Sequence, residues 1–356
     1  MKYEIKTEHM RQLSEYRSKL QKDPILKFLF LELTLRCNEN CIHCGSRCGK
    51  QTGKELTFEQ YKAFLDKIKR DFGTRELQLC ITGGEPLLRK DFFDIMGYAH
   101  SLGFHWGMTS NGTLIDKSIA VKLEECGMGT ISISLDGLRE THDKFRCAPG
   151  GWDSAVRGIN ALIERGAFQE IQVTTVVHSG NINELDALYD YLCGVDIDSW
   201  RLITIEPIGR ALDAGLSLSP EEYERVLEFI REKRADNMPV TYGCTHYLGL
   251  EYEREVRDWY FLCNAGIYTA GIRANGDIGA CLDIEKRPEL LDGNILTDDF
   301  THIWKNGFKS YRNDLSDKSA KCSACGSREF CKGGSFHSWD FDKNEQRVCL
   351  KGVLFE

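Results

Sequence analysis

Cys37-Asn38-Glu39-Asn40-Cys41-Ile42-His43-Cys44, placed directly after the apolar run at residues 28–35, is the stretch on which the reading of this chain turns. Three cysteines spaced x3 and then x2 can hold a [4Fe-4S] cluster while leaving one iron without a protein ligand. Cysteine thiolates are the usual ligands of such clusters and four close a cubane, so a deficit of one leaves an iron open to a reactant. A zinc knuckle or unpaired core cysteines are the competing readings. Zinc sites usually present a second cysteine hook further on, and none follows nearby.

Around this triplet the chain alternates between two periodicities. Short apolar runs rich in β-branched or aromatic residues occupy 28–35, 76–81, 104–109, 130–135, 170–177 and 199–205; each predicts a strand. Between them, Thr57 and Gln60 form the pattern of a capping box opening a helix to Phe72. Further helices are predicted over 91–102, 116–126 and 152–165, stopped by Gly103, Gly127 and Gly166, because glycine accepts the left-handed conformation that ends a helix. Such alternation predicts an α/β fold with a parallel sheet, and six βα units are too few for a closed eight-stranded barrel. The polar and glycine-rich loops fall after successive strands: the triplet after the first, Gly83-Gly84-Glu85-Pro86 after the second, Ser110-Asn111-Gly112 after the third, Asp136-Gly137 after the fourth. Function is expected at that carboxyl-terminal face.

The chain of 356 residues is 42% hydrophobic and 28% charged, with a formal net charge of −8. That balance is expected of a globular protein and argues against gripping a phosphate backbone, so no nucleic-acid partner is expected. The charged, amphipathic segment 1–27 holds no apolar signal core, and no apolar stretch approaches the ~20 residues of a membrane span; a cytoplasmic location is the expectation. Fifteen cysteines, an odd number, do not suit a secreted disulfide framework, and their clustering points to metal. A helix over 219–234 follows the strands, and from about residue 240 long periodic segments give out. Metal clusters acting as staples are expected there.

Together the triplet, the Gly83–Pro86 motif and the two following loops closely resemble the radical S-adenosylmethionine (SAM) enzymes over roughly residues 28–205. The resemblance implies a partial (β/α)6 TIM-like barrel in which Cys37, Cys41 and Cys44 hold a [4Fe-4S] cluster. SAM binds its open iron and is cleaved to a 5′-deoxyadenosyl radical that abstracts a substrate hydrogen. It further implies that Gly83, Gly84 and Glu85 receive the SAM amino group, that Asn111, Ser134 and Asp136 meet its ribose and carboxylate, and that Arg146 reaches the carboxylate. Cys48 is read as a loop thiol beside the triplet.

Cys263-x12-Gly276-x4-Cys281, Cys322-x2-Cys325-x5-Cys331 and Cys349 carry a second resemblance, to the SPASM extension of radical SAM enzymes that modify peptides and proteins. It implies an outer auxiliary cluster on Cys322, Cys325, Cys331 and Cys349, and an inner one on Cys263 and Cys281 with Cys244 as a third ligand. Ser335 stands where that family has a further cysteine, which leaves the inner cluster a smaller type, open, serine-ligated or absent. A structural zinc on the four outer cysteines is the alternative. The implied division is an N-terminal segment at 1–27, a barrel at 28–205, a linker with a helix at 206–240 and a small iron-sulfur-stapled domain at 241–356.

The implied activity is an oxidoreductase acting on a peptide or protein by crosslinking, oxidation or epimerisation. A flavodoxin or ferredoxin would supply the electron, and one or two auxiliary clusters would accept what the substrate loses. No acid or base is identified, Asp283 and Cys147 being the candidates. A SPASM enzyme acting on a small molecule or tetrapyrrole is the alternative within enzymes; an Fe-S electron carrier or zinc-stapled binding protein is the alternative outside them.

Overall fold

The computed structural model describes residues 3–50, 53–236 and 238–355. The first two residues of the expected 1–27 segment lie outside it. All six expected strands form: β1 (Phe28–Glu32), β2 (Gln78–Thr82), β3 (His105–Ser110), β4 (Met128–Ser134), β5 (Glu170–Val177) and β6 (Ser199–Thr204). They lie side by side in chain order and every neighbouring pair is parallel, with Phe28 opposite Gln78 and Gln172 opposite Ser199. Because the strands run one way, their carboxyl ends share an edge, and each loop that follows opens there.

Helices supply the parallel crossovers. They are α1 (Tyr3–Lys22), ahead of the sheet, then α2 (Phe58–Phe72), α3 (Phe92–Ser101), α4 (Lys117–Glu125), α5 (Arg139–Arg146), α6 (Gly151–Arg165), α7 (Leu185–Cys193) and α8 (Pro220–Lys233). The expected capping box is present at α2: the Thr57 hydroxyl accepts from Gln60 N–H, and the Gln60 side chain accepts from Thr57 N–H. A second box, Ser219 with Glu222, opens α8. The helices bury Tyr61, Leu65, Ile68, Phe92, Leu123, Ile159 and Leu162 against Leu29, Leu31, Leu79, Ile131 and Val173 of the strands.

The sheet is wider than six strands. β7 (Val240–Tyr242) pairs in parallel with β6, and β8 (Thr269–Ile272) pairs in parallel with the other edge, along β1. β9 (Asp277–Gly279) and β10 (Gly293–Asn294) continue antiparallel from β8, giving the order β10-β9-β8-β1-β2-β3-β4-β5-β6-β7. The order does not return on itself, so the barrel is partial. Chain from beyond residue 240 thus covers both edges of the expected six strands, which otherwise would offer unpaired backbone.

The N-terminal segment is held by that later chain. α1 buries Met10 and Leu20, and Lys6, 4% exposed, donates to Glu251 O at 2.7 Å and pairs with Glu255 at 2.6 Å. Arg17 approaches Asp314 at 3.5 Å, and Gln21 donates to the same carboxylate at 3.1 Å. No helix among the described residues is long and apolar enough to cross a membrane.

Candidate active site

The loop after β2 is pressed into the loop after β1. Gly84 N–H donates to Thr34 O at 2.7 Å and Glu85 N–H to Arg36 O at 2.8 Å. A Cβ on Gly84 would stand 2.1 Å from Arg36 O and 3.0 Å from Cys37 Cβ, and one on Gly83, at φ +152°, 2.5 Å from Thr34 O. The two glycines therefore fit because backbone occupies the space of a side chain. Gly84→Ala is expected to cost more than about 2 kcal/mol and to lower the iron retained after reconstitution. A urea midpoint and an iron assay check this.

Glu85 is fully buried and ties three loops together. Its carboxylate accepts from Leu87 N–H at 3.2 Å, from the Ser110 hydroxyl at 3.0 and 3.1 Å, and from Asn111 N–H at 2.9 Å. Burial raises its pKa to about 7, against the pull of these donors. A carboxyl raised on folding contributes stability that is full below its ordinary pKa of 4.5 and is lost as pH rises through about 7. Glu85→Gln, which cannot ionise, is expected to gain on the wild type by roughly 1–3 kcal/mol between pH 5 and pH 8. Urea titrations at the two pH values measure it; parallel slopes would count against the raised pKa.

Asn111 turns back toward the triplet. Its amide donates to Asn38 Oδ1 at 2.9 Å and lies 3.9 Å from Cys37 Sγ, while its Oδ1 accepts from Thr113 N–H and hydroxyl at 3.0 and 2.8 Å. Ser134 ends β4 half-buried, opposite Thr174 of β5.

Asp136, two residues later, is completely buried and pairs with Arg146 of α5, Nε to Oδ2 at 2.7 Å. Arg146 also donates to Glu39 Oε2 at 2.8 Å. Burial pushes the Asp136 pKa up, but the Arg146 guanidinium and the imidazoles of His43 and His142 outweigh it and hold the carboxylate below its ordinary range. Asp136 Oδ1 accepts from Val176 N–H, and Asp136 N–H donates to His142 Nδ1. Glu39 was not foreseen. It sits between the first two cysteines of the triplet, and its Oε1 is buried with no hydrogen-bond partner.

The three cysteines of the triplet bend around this carboxylate. Cys41 Sγ is 3.6 Å from Glu39 Oε2, and each thiol sits in the field of another: Cys44 acts on Cys37, and Cys37 on Cys41. Burial raises Cys37 to about 11, whereas a hydrogen bond from the Cys48 thiol pulls Cys44 down to about 6. Cys48 N–H also donates to Cys44 Sγ at 3.3 Å. The loop is clamped from the turn that follows β6: Arg210 donates to Cys41 O at 2.7 Å and to Cys48 O at 2.8 Å. His43 stacks on Phe145 at 4.3 Å and Phe145 on His178 at 4.0 Å, a three-ring pile beside Asp136. Burial lowers His43 to about 3 and His178 to about 4, so both rings are neutral at physiological pH.

An all-thiol donor set on one loop, each thiol within the electrostatic reach of another, suits an iron-sulfur cluster. The orphaned Glu39 Oε1, His43 Nδ1 and His178 Nε2 leave buried polar capacity in the same region for a polar ligand.

In the C-terminal chain, Cys331 is raised by burial to about 12 and sits in the field of Cys349, Cys322 and Cys325, so these four thiols are neighbours. Cys263 acts likewise on Cys281, whose Sγ lies 3.9 Å from the exposed Asp283. Ser335 is fully buried with its hydroxyl 3.4 Å from that of Ser338. Cys244 lies against β6, accepting from Thr204 N–H at 3.2 Å, with Glu206 and His246 beside it. Cys147 caps α5 in a left-handed conformation, exposed, its thiol directed to Lys144 O.

Comparison with known proteins follows the two ends of this arrangement. Residues 31–192 match the model of the radical SAM superfamily, and residues 263–326 match that of the SPASM iron-sulfur cluster-binding domain. An Fe-coproporphyrin III synthase of Methanosarcina barkeri is 35% identical over 327 residues, covering 85% of this chain and 81% of that protein. The mycofactocin maturase MftC of Mycolicibacterium smegmatis is 31% identical over 310 residues, covering 85% and 76%, and an AdoMet-dependent heme synthase of M. barkeri is 29% identical over 318 residues, covering 85% and 89%. Among solved structures, SuiB of Streptococcus suis bound to S-adenosylmethionine superposes with a TM-score of 0.74 at 18% identity, over 92% of this chain and 77% of that one.

Proposed function

We propose a reaction from the premise that this chain belongs to the radical SAM superfamily and carries a C-terminal SPASM iron-sulfur domain. As a member it uses a [4Fe-4S] cluster with SAM, and auxiliary Fe-S clusters. Cys37, Cys41 and Cys44 hold the first cluster, Cys322, Cys325, Cys331 and Cys349 the outer auxiliary one, and Cys263 and Cys281 contribute to an inner one. With cluster and SAM held there, and a flavodoxin or ferredoxin as electron donor, the chemistry supplied would be one-electron cleavage of SAM and hydrogen-atom abstraction from the substrate.

The chain's own part is placement. Glu85 fixes the glycine loop to the loop after β3, and Arg146 fixes the triplet loop to the loop after β4 through Glu39 and Asp136. The His43–Phe145–His178 pile keeps water from one flank of the triplet. The single observation that carries the reading is this convergence: contacts of 2.7–3.9 Å chain Cys37 to Asn111 and Glu85, and Cys41 through Glu39 to Arg146 and Asp136.

The substrate is a peptide or protein, and the outcome a crosslink, oxidation or epimerisation. The MftC maturase at 31% identity supports this. A second reading, a tetrapyrrole substrate, is favoured by the Fe-coproporphyrin III synthase at 35% and the heme synthase at 29%. One experiment separates them: reconstituted enzyme, SAM and reductant are offered deuterated candidate peptides in one arm and a set of side-chain-deuterated iron tetrapyrroles in the other. Deuterium in 5′-deoxyadenosine from a peptide supports the first; transfer from a tetrapyrrole alone overturns it in favour of the second.

A further inference from the structure

Beyond β6 a second group of ligand-type side chains converges, apart from all the thiols assigned above to clusters except Cys244. Glu206, Cys244 and His246 each present a donor atom, and the three atoms lie within 4.8 Å of one another. His246 Nε2 approaches Glu206 Oε1 to 2.7 Å. That approach lacks hydrogen-bond geometry: His246 Nε2 and both Glu206 oxygens are buried with no hydrogen-bond partner. These buried atoms meet only one another and, at 3.7 Å, His337, without hydrogen-bond geometry, so their donor capacity is left unused.

The surroundings hold these donors as a metal site's outer partners do. His246 Nδ1 is engaged by the Tyr242 hydroxyl at 3.0 Å, which in turn meets Thr204 Oγ1 at 3.0 Å, so Nε2 is the nitrogen left free. Thr204 fixes the Cys244 thiol from both sides: its N–H donates to Sγ at 3.2 Å, and Sγ lies 3.7 Å from its carbonyl oxygen. Arg257, completely buried and paired with Glu253 at 2.6 Å, donates to Cys244 O at 2.9 Å and His246 O at 2.7 Å, fixing the backbone between the two ligands. His337 lies with Nε2 3.7 Å from Glu206 Oε1 and its ring stacked on His246 at 5.6 Å. Donors around a tetrahedral ion with bonds of ~2.0–2.3 Å stand roughly 3.3–3.8 Å apart; the 2.7 Å between His246 Nε2 and Glu206 Oε1 is shorter, so an ion seated between them would part the two by roughly 1 Å.

We propose that Glu206, Cys244 and His246 form a mononuclear site for a divalent transition metal, zinc or ferrous iron, with His337 beside the fourth position. One oxygen, one sulfur and one nitrogen donor suit those ions and do not suit magnesium or calcium. Cys244 then serves this site instead of the cluster of Cys263 and Cys281. Glu206 is four residues ahead of Arg210, whose guanidinium clamps the triplet loop, so the ion sits at the carboxyl-terminal edge of the sheet.

The test is a metal inventory on the full chain with its clusters reconstituted. Protein is offered one equivalent of Zn2+, desalted, and assayed for zinc, iron and acid-labile sulfide. The wild type is expected to keep about one zinc per chain, and Cys244→Ala and Glu206→Gln to lose at least ~10-fold in zinc occupancy with iron and sulfide unchanged. Zinc absent from the wild type or retained equally by the variants overturns the proposal. Iron and sulfide falling together in Cys244→Ala also overturn it, because Cys244 would then ligate a cluster. If Cys244→Ala does not fold, Glu206→Gln, which keeps the side-chain volume, decides alone.

Discussion

Cys41→Ala protein, reconstituted anaerobically and given SAM and a strong reductant, is expected to release no 5′-deoxyadenosine above the protein-free rate. Three thiolates hold three irons of a cubane, and the chain has no spare at this position. Cys48, the nearest further thiol, is committed to Cys44, by its backbone at 3.3 Å and by its own S–H. Cys41 is also the buried member of the triplet beside Glu39, so the methyl of alanine leaves a carboxylate facing a gap where the sulfur stood at 3.6 Å. Iron per chain is expected to fall by about four atoms while the iron on the C-terminal thiols stays. Liquid chromatography of the quenched reaction and an iron assay measure both. Full 5′-deoxyadenosine release by the variant would remove the triplet from the mechanism.

Arg146→Ala is expected to cost about 3–5 kcal/mol in folding stability. Asp136 and Glu39 are both buried and both depend on this one guanidinium. A buried pair is not in itself a large source of stability, because desolvation offsets the attraction; removing one partner strands the others at full desolvation cost. The penalty should depend on pH in a definite direction. In the wild type the depressed pKa of Asp136 gives stability that is present above its ordinary value of 3.8 and lost as pH falls through the folded value. Without Arg146, burial raises Asp136 above its ordinary range and raises Glu39, already lifted by burial in the wild type, further, so the folded variant takes up more protons than the folded wild type. Its deficit against the wild type is therefore expected to shrink between pH 7.5 and pH 5. Urea unfolding at both values reads it, and a constant deficit would mean that Arg146 acts by packing alone.

Much of the barrel was legible because local signals agreed with its architecture. The run 170–177 is β5 to the residue, and Thr57–Gln60 caps α2 in the way its spacing implies. The loops after the first four strands follow strands that all run parallel, so strand order alone puts them on one face. What escaped depended on contacts between distant residues. Residues 139–146 carry a single large apolar side chain and so give no helical periodicity of their own, yet they fold as α5 and bury Phe145, His142 and Arg146. β8 is four residues long and gains its identity by lying along β1, some 240 residues earlier. Glu39 was in plain view between two cysteines, but its partner is 107 residues away. The grouping of Cys244 with Glu206 and His246 likewise joins the end of β6 to the segment after β7, and no spacing rule links them.

The docking of α1 has a consequence for how the protein is made. Lys6 reaches a carbonyl 245 residues further along the chain, and the other anchors at Asp314 come later still. At ribosomal speeds of ~5–20 residues per second, the helix emerges about ten to fifty seconds before the surface that buries Met10 and Leu20 exists. Throughout that interval the face that the finished protein buries, Lys6, Met10, Arg17 and Leu20, has no partner on the nascent chain. Its final burial can occur only once the last third of the polypeptide has been translated, which makes closure of α1 a late checkpoint in biogenesis.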